Sequence, residues 1–168
     1  INDKMTGRGT FIDIDGSKYE GKFLENLKHG RGTYFYADQS KYEGEYFEGK
    51  RQGYGKFTSS EGGEVYEGNY FNDRKNGKGK YTKEGFTYKG DWVDDKKFGQ
   101  GKEAHANGDT FSGQYQNDKK QGRGRFTYGK DMSSYEGDYV QDCQTGKGCF
   151  VCAEYTYEGD FVNGCKVG

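Results

Sequence analysis

Aromatic and polar residues alternate along this chain with a period of two, and the alternation returns in similar blocks. The stretch YEGKFLENLKHGRGTY, residues 19–34, is followed by YEGEYFEGKRQGYGKF, residues 42–57. A period of two places successive side chains on opposite faces of a β-strand. Each block therefore predicts two strands, whose aromatic residues and glycines share one face and whose charged residues share the other.

The blocks recur at a nearly constant spacing over the whole sequence, which indicates a repeat architecture. They start at Tyr19, Tyr42, Tyr66, Tyr88, Phe111, Tyr135 and Tyr157, and the starts are 22 to 24 residues apart. A glycine lies eleven positions after each start, and in the first six units a second glycine follows two positions later. We therefore expect one array over residues 1–168, with a partial unit at residues 1–18 and another at residues 157–168.

The predicted fold is all-β: an elongated, single-layer, twisted antiparallel meander of repeated hairpins. A polar connection of six or seven residues, such as LENLKH at residues 24–29, would join the two strands of a unit. About 14 strands at roughly 4.8 Å would form a rod about 65–70 Å long. The glycines would leave room for the large rings, because a position without Cβ lets a ring lie across the backbone.

Composition supports an ordered chain that lacks a conventional aliphatic core. The sequence has 30 Gly, no Pro, 16 Tyr and one Trp, and its net charge is −1 although 32% of its residues are charged. Disordered chains usually lack aromatic residues and carry an excess of one charge. The polar face carries acidic residues one position after most starts and basic residues beside the paired glycines, so we expect cross-strand ion pairs. Where Lys89 replaces the acidic residue, this pattern makes the uncharged Gln100 its counterpart.

The sequence has no signature of an enzyme, a cofactor site or a nucleic-acid-binding protein. Neither His29 nor His105 has a Cys, Ser or acidic partner whose position the repeat does not already explain. The Gly-x-Gly pairs lie inside strands rather than before helices, so they do not form phosphate-binding loops. No apolar run approaches the roughly 20 residues that span a bilayer. We predict no catalytic site, no cofactor and no nucleic-acid partner.

The four cysteines, Cys143, Cys149, Cys152 and Cys165, all lie near the end of the sequence. Cys149 and Cys152 have the spacing of a zinc-binding pair, but in a continuous strand they would face opposite sides. Cys143 and Cys165 occupy equivalent hairpin tips about 10 Å apart, which is too far for a disulfide. We expect free thiols, no metal and a reducing, cytoplasmic setting.

These units resemble MORN repeats, whose pattern is close to Tyr-Glu-Gly-x-Trp-x-x-Gly-x-x-x-Gly-x-Gly-x-Tyr. Residues 42–57, quoted above, follow it almost position for position, and YKGDWVDDKKFGQGK, residues 88–102, has the Trp as well. The resemblance implies a scaffold or adaptor, since MORN arrays occur in junctophilins, plant phosphatidylinositol-phosphate kinases, SET-domain methyltransferases, alsin, ciliary radial-spoke heads and an apicomplexan basal scaffold. It also implies an aromatic groove that can bind a peptide, end-to-end dimers in some arrays, and an inferred affinity for phospholipid.

The aromatic face is the first candidate for binding. We expect its rings to form a ladder without a covering layer, and exposed aromatic surface of this extent usually marks an interaction site. An extended or helical peptide of a protein partner would lie along it. The predicted partner-binding residues are Tyr42, Tyr46, Tyr66, Tyr70, Tyr88, Trp92 and Tyr115. Purely structural stacking of these rings is the alternative.

The hairpin tips are a second candidate surface. Four consecutive units place two basic residues at equivalent positions: Lys50 and Arg51, Arg74 and Lys75, Lys96 and Lys97, and Lys119 and Lys120. They should project from one edge about every 10 Å, a geometry suited to an anionic membrane or an acidic partner. Acidic residues directly before them make local charge balancing the alternative.

Two further features depart from the expected pattern. Five positions after each start lies a mostly apolar column, which would form a lateral seam or anchor the loops. Its members are Leu24, Phe47, Phe71, Val93, Gln116, Val140 and Val162. Glu103 stands where the other units have Tyr or Phe, and with His105 it would form either a polar notch for a partner side chain or simply a degenerate repeat.

These features favour a non-enzymatic scaffold that joins protein partners in a cytoskeletal, ciliary or other large assembly, such as a radial spoke. Unpaired strand edges would also allow self-association. One alternative is an adaptor bound peripherally to an anionic or phosphoinositide-containing membrane. Another is the targeting array of a longer lipid kinase or SET-domain methyltransferase.

Overall fold

The computed structural model describes residues 4–61 and 63–167, and the chain falls into two compact units, Ile1–Lys83 and Glu84–Gly168. The first unit contains β1 (Gly7–Ile12), β2 (Lys18–Leu24), β3 (Leu27–Phe35), β4 (Lys41–Phe47), β5 (Lys50–Thr58), β6 (Glu64–Phe71) and β7 (Arg74–Lys83). The second contains β8 (Phe86–Val93), β9 (Lys96–Ala104), β10 (Thr110–Gln116), β11 (Lys119–Thr127), β12 (Ser134–Val140), β13 (Cys143–Val151), β14 (Thr156–Val162) and β15 (Cys165–Val167).

The strands of each unit follow one another in chain order, and each pairs antiparallel with its neighbours. No helix occurs among the described residues. The predicted all-β antiparallel meander of hairpins is therefore confirmed. Gly168, which continues one of the predicted glycine columns, lies outside the described residues.

The hairpin within each repeat closes with a two-residue turn, whereas longer loops connect successive repeats. In the hairpin of β4 and β5, Phe47 pairs directly with Lys50, and the two residues between them, Glu48 and Gly49, have positive φ values of 48° and 85°. Positive φ at both central residues is the property of a type I′ turn, whose twist matches that of the flanking strands. The predicted connection of six or seven residues was wrong, because the residues on either side of the turn continue the strand pairing.

A β-bulge near the turn of six hairpins, from that of β2 and β3 to that of β12 and β13, explains one of the three glycine columns. In the hairpin of β4 and β5 the register shifts between Gly44 and Tyr46, opposite the segment that holds Gly53. Gly53 has a φ of +74°, which a residue with Cβ rarely adopts. Positive φ recurs at the equivalent positions Gly30, Gly77, Gly99, Gly122 and Gly146. This column is thus required by backbone conformation rather than by a ring above it.

The other two glycine columns form a row that crosses the strands. Gly44 pairs with Gly32 on one side and with Gly55 on the other. The row comprises Gly9, Gly21, Gly32, Gly44, Gly55, Gly68 and Gly79 in the first unit, and Gly90, Gly101, Gly113, Gly124, Gly137, Gly148 and Gly159 in the second. Tyr42 lies across Gly44 and Gly55, and a Cβ on either glycine would overlap its hydroxyl. Here the predicted role of glycine beneath a ring holds.

Most starting rings pack between two rings that stand nearly at right angles to them. Tyr42 lies 5.3 Å from Tyr46 of its own repeat and 5.1 Å from Tyr70 of the next, at interplanar angles of 84° and 87°. Edge-to-face pairs contribute about 0.5–1.5 kcal/mol beyond the area they bury. The Tyr42 hydroxyl also donates a hydrogen bond of 3.2 Å to the carbonyl of Glu45, the residue at the bulge.

The second unit repeats this ring ladder. Tyr88 lies 5.2 Å from Trp92 and 5.1 Å from Tyr115, and Phe111 lies 5.4 Å from Tyr115 and 5.1 Å from Tyr139. Trp92 and the rings around it are almost fully buried. The core of each unit is therefore this ladder of perpendicular rings on one face of a sheet. Among the described residues, no second layer of secondary structure packs against it.

The register of the polar face differs from the predicted one. Residues one position after a start pair with residues fourteen positions after it, as Glu43 does with Lys56. Lys89 accordingly faces Lys102, and not Gln100 as the sequence pattern suggested. The physical reason is the bulge, which offsets the second strand relative to the simple count from the paired glycines.

Substituting Gly55 by alanine should destabilise the first unit, whereas the same change at Gly9 should not. A Cβ on Gly55 would overlap Tyr42, and overpacking of this kind costs about 1–3 kcal/mol. At Gly9 the nearest atom would be a Phe23 ring carbon at 3.7 Å, an ordinary contact. Denaturant unfolding followed by near-UV circular dichroism measures both, and equal losses of stability in the two variants would contradict the ring-over-glycine account.

Candidate interaction surface

The rings that the sequence singled out for partner binding form the buried core. Their exposed fractions lie between 0 and 5%. They are Tyr42, Tyr46, Tyr66, Tyr70, Tyr88, Trp92 and Tyr115. The expectation of exposed surface at these positions was wrong, because perpendicular rings and basic side chains cover their faces. Their part in binding stays a prediction, and a partner would meet other side chains of this face first.

Two clusters of half-buried rings lie beside the ladder, one in each unit, and we call them the outer ring clusters. The first comprises Tyr34, Tyr36 and Phe57, and the second comprises Phe126, Tyr128 and Phe150. Neighbouring ring centroids within the clusters are 4.7 to 6.4 Å apart. Burial raises the pKa of Tyr36, an effect that nearby Arg51 opposes in part, so its hydroxyl stays protonated at neutral pH. These clusters provide accessible aromatic surface beside the buried ladder.

Basic side chains lie over the rings and form a cation column. It comprises Lys28, Arg51 and Lys75 in the first unit, and Lys97, Lys120 and Lys166 in the second. The Lys28 ammonium lies 4.2 Å from the Tyr34 centroid, and the Arg51 guanidinium lies 5.0 Å from that of Tyr70. Burial lowers the pKa of Lys28. Cation–π contacts are worth about 0.5–2 kcal/mol each, so the column both covers the ladder and gives this face a positive charge.

The basic pairs at the hairpin tips divide between the two faces of the sheet. Arg51, Lys75, Lys97 and Lys120 lie over the rings, and the side chains of Lys97 and Lys120 are only 19% and 17% exposed. The other members, Lys50, Arg74, Lys96 and Lys119, are exposed. The prediction that both members of each pair project from the edge was wrong. The second member lies directly opposite a ladder ring, as Arg51 does opposite Tyr46.

Arg51 is held in place by the next hairpin. Its Nε lies 3.4 Å from a carboxylate oxygen of Asp73, and its guanidinium donates a hydrogen bond to the Asp73 carbonyl. The Asp73 carboxylate also accepts a hydrogen bond of 2.9 Å from the backbone N–H of Arg51. The same backbone contact recurs between Lys97 and Asp118 at 2.8 Å. The acidic residues before the tips thus fix neighbouring hairpins to one another and do more than balance charge.

Glu103 occupies the place of an aromatic ring and is almost fully buried. Its carboxylate accepts a hydrogen bond of 2.8 Å from the Tyr115 hydroxyl and lies 2.6 Å from the Lys120 ammonium. Lys97 lies 3.6 Å away and His105 3.4 Å away. The predicted polar notch is therefore filled by side chains of the chain itself.

The environment of Glu103 favours its charged form. Burial alone would raise the pKa of this carboxyl, but the hydrogen bonds from Lys120 and Tyr115 and the charge of Lys97 outweigh burial and lower it below the ordinary value. Burial and the adjacent carboxylate raise the pKa of Tyr115, which keeps its hydroxyl a donor. The equivalent hydroxyls of Tyr70 and Tyr139 are buried without a hydrogen-bond partner among the described residues. Glu103 thus satisfies a donor that other repeats leave unsatisfied.

The apolar column near the tips is exposed. Leu24, Phe47, Phe71, Val93, Val140 and Val162 are between 42 and 54% exposed. Each lies directly across its turn from another tip residue, as Phe47 does from Lys50. Whether the column is a seam for assembly stays a prediction.

The cysteines are free, with Cys143 and Cys165 exposed and Cys149 and Cys152 half-buried. Within residues 4–61 and 63–167, no group of three or more His, Cys, Asp and Glu side chains is arranged to hold a metal ion. In the same part of the chain, no helix has the length and apolarity needed to cross a membrane.

Seven segments of the chain match the sequence model of the MORN repeat. They are residues 1–18, 19–41, 42–64, 66–84, 88–110, 111–132 and 135–156. Together they cover most of the sequence, and the chain belongs to the MORN-repeat family. A comparison with curated protein sequences finds no match.

Among solved structures, the chain is similar to the TCP domain of SAS-4 (dCPAP) of Drosophila melanogaster. That domain was solved in complex with a proline-rich motif of Ana2 (dSTIL). The two share 11% sequence identity with a TM-score of 0.50, and the match covers 90% of this chain and 88% of that domain. At this identity the similarity shows a common fold.

Replacing Glu103 by glutamine should destabilise the second unit in a pH-dependent way. The change leaves Lys97 and Lys120 without their carboxylate, and we expect a loss of about 1–3 kcal/mol at pH 7. Because the folded pKa of Glu103 is lowered, its stabilising contribution is complete above its unfolded pKa of about 4.3 and disappears as the pH falls through the folded value. The difference between variant and wild type should therefore shrink below about pH 4.

Urea unfolding between pH 3 and pH 8 measures this difference. The control is Glu43→Gln, which removes an exposed carboxylate 2.9 Å from Lys41 and should cost about 0–1 kcal/mol. A Glu103→Gln penalty that is independent of pH would contradict the assignment of Glu103 as a buried carboxylate.

Proposed function

We propose that the protein is a non-enzymatic scaffold whose aromatic face binds an extended segment of a protein partner. The observation that carries this proposal is the repeated pairing of an outer ring cluster with the cation column. In the first unit Lys28 lies over Tyr34, and in the second unit Lys120 lies 5.2 Å from the Phe126 centroid. Half-exposed rings offer apolar contact, while the ammonium groups and phenols offer hydrogen-bond donors to a backbone.

A proline-rich segment fits this surface best. Its polyproline II conformation has no internal hydrogen bonds, so its carbonyls are free to accept from lysine and tyrosine donors, and its rings pack well on aromatic side chains. The ladder beneath is well packed, because starting rings such as Tyr42 lie on glycines and contact perpendicular rings on either side, and such preorganisation favours binding. The common fold with the SAS-4 domain, which was solved with a proline-rich motif, supports this choice of ligand.

A scaffold of this kind would act in the cytoplasm, within a cytoskeletal, ciliary or other large assembly such as a radial spoke. Membership of the MORN-repeat family is the support for this setting. Self-association is a further part of this proposal, supported by membership of a family in which some arrays form end-to-end dimers. The alternative, a targeting array within a longer lipid kinase or SET-domain methyltransferase, is distinguished by the full reading frame.

Removing one ring from each outer ring cluster should weaken the binding of proline-rich peptides. We expect the double variant Tyr36→Ser and Tyr128→Ser to bind at least about tenfold more weakly, because aromatic anchors dominate such interfaces. Peptides selected from a proline-rich array would be titrated by fluorescence anisotropy, after circular dichroism has shown that the variant folds. The matched control is Phe47→Ser with Phe71→Ser, which removes two exposed rings at the tips and should leave the affinity unchanged.

If no peptide of the proline-rich array binds the wild type, the aromatic face is ruled out as a site for proline-rich peptides. Equal affinity of the wild type and both double variants would rule it out as well. If only the control variant binds more weakly, the peptide-binding site lies at the tips and not on the aromatic face.

A second candidate function, an adaptor peripheral to an anionic membrane, is favoured by the tips. There an exposed apolar residue lies directly across the turn from an exposed cation: Phe47 from Lys50, Phe71 from Arg74, and Val93 from Lys96. Apolar side chains beside cations are the combination that binds the interface of an anionic bilayer. Only one cation per tip is exposed, which halves the charge that the sequence pattern suggested.

If the tips bind membranes, the variant Lys50→Glu with Arg74→Glu should lose sedimentation with phosphatidylserine vesicles. Wild-type binding should also fall steeply as salt shortens the range of surface charges. Lys56→Glu with Lys80→Glu makes the same change of charge on the polar face and serves as the control. Sedimentation of all three proteins to the same extent, or of none, would exclude this function for the tips.

A further inference from the structure

Directly paired residues form a row of side chains across the polar face, beside the glycine row. In the first unit the row alternates between acidic residues and Thr or Lys. Its members from β2 to β7 are Glu20, Thr33, Glu43, Lys56, Glu67 and Lys80. Each acid lies opposite an uncharged or basic residue, an arrangement that stabilises neighbouring strands.

In the second unit, four successive strands of the same row lack an acidic residue. From β8 to β11 its members are Lys89, Lys102, Ser112 and Arg125. Lys89 and Ser112 occupy the positions that are acidic in the first unit, so this stretch contains no carboxylate. Lys89 lies directly opposite Lys102. Like charges that face each other across a strand pair are destabilising, so the fold itself gives no reason for this arrangement.

We call Lys89, Lys102, Ser112 and Arg125 the cationic row, and within the described part of the chain neither of its lysines forms an ion pair with a carboxylate. Among the described residues, no carboxylate oxygen lies within 4.0 Å of the Lys89 or Lys102 ammonium. Asp91, the nearest acid along β8, accepts a hydrogen bond of 3.3 Å from the backbone N–H of Gln100. Arg125 lies opposite Glu136 on its other side. Two lysines therefore face solvent as a pair, with Arg125 two strands away from Lys102.

A groove of about 440 Å³ lies along the cationic row. Its lining includes Lys89, Lys102, Ser112 and Arg125 together with the hydroxyl-bearing residues Thr87, Thr110 and Thr127. Hydroxyl groups add donors to those of the ammonium and guanidinium groups. Glu103 also lines the groove, but it is almost fully buried and its carboxylate is bound by Tyr115 and Lys120. The groove therefore presents hydrogen-bond donors and positive charge to a ligand.

We propose that the cationic row binds an acidic extended segment of a protein partner. The row crosses four strands, so its ends are about 14 Å apart. Alternate side chains of an extended peptide are about 6.8 Å apart, so three carboxylates on one face span nearly the same distance. A single phosphate group is too small to contact both ends of the row. This surface lies on the face opposite the aromatic one, so its test is independent of the function proposed above.

The experiment uses the whole chain, with a fluorescein-labelled peptide of alternating Glu and Ser as the probe. The test variant, Lys89→Glu, restores the acid that the first unit has at this position. It should weaken binding of the probe by about tenfold or more. It should also raise Tm by about 1–4 °C, because an attractive pair with Lys102 replaces a repulsive one. Lys130→Glu makes the same change of charge in an exposed turn outside the groove and should leave affinity within about twofold of the wild type.

The combination of weaker binding with higher Tm supports the proposal, since a merely damaged fold would lower both. Equal affinity of the wild type and Lys89→Glu for the probe would overturn it. So would an equal loss of affinity in Lys130→Glu, which would indicate general attraction by net charge. Inorganic tripolyphosphate or phosphatidylserine vesicles that bind more tightly than the peptide, and lose binding in Lys89→Glu, would assign the row to phosphate ligands and overturn the assignment to an acidic peptide.

Discussion

The contact of an aromatic ring with a glycine pair is the interaction on which the structure depends. Tyr42 lies across Gly44 and Gly55, whose own Cα atoms approach each other because neither carries a side chain. The ring covers backbone that would otherwise be open to water, and perpendicular rings cover its edges. A single sheet can therefore form a core on one face, although the chain has few aliphatic residues. Stability is then local, as in other repeat proteins, because each ring touches only its neighbours.

The same contact determines what the aromatic face offers a partner. Because the ladder rings are buried, recognition falls to the half-buried rings beside them and to the cations above them. Lys120 makes three of these contacts at once: it covers Phe111, lies near Phe126 and pairs with Glu103. One side chain thus contributes to the core and to the accessible surface. Substitutions in the cation column are therefore expected to affect both stability and binding.

Much of the fold was predictable from the sequence, because strands, glycine rows and ring columns all follow from a period of two and from the repeat. The bulge was not. A left-handed glycine such as Gly53 and a glycine beneath a ring such as Gly55 look alike in a sequence, and the bulge between strands offsets the pairing of Lys89. Burial of the candidate rings was also missed, because the position of the covering Arg51 side chain depends on register. The departure at Glu103 was visible as a broken column, but its partners Lys120 and Tyr115 come from later strands.

The position of Trp92 in the ladder has a consequence for spectroscopy. It is the one tryptophan in a chain with 16 tyrosines, it is 4% exposed, and its ring lies 5.2 Å from that of Tyr88. Excitation of nearby tyrosines will pass to the indole over such distances, so emission from this protein is dominated by one site in β8. The natural chain therefore carries an optical reporter of ring packing in its second unit, while the first unit is visible only through tyrosine.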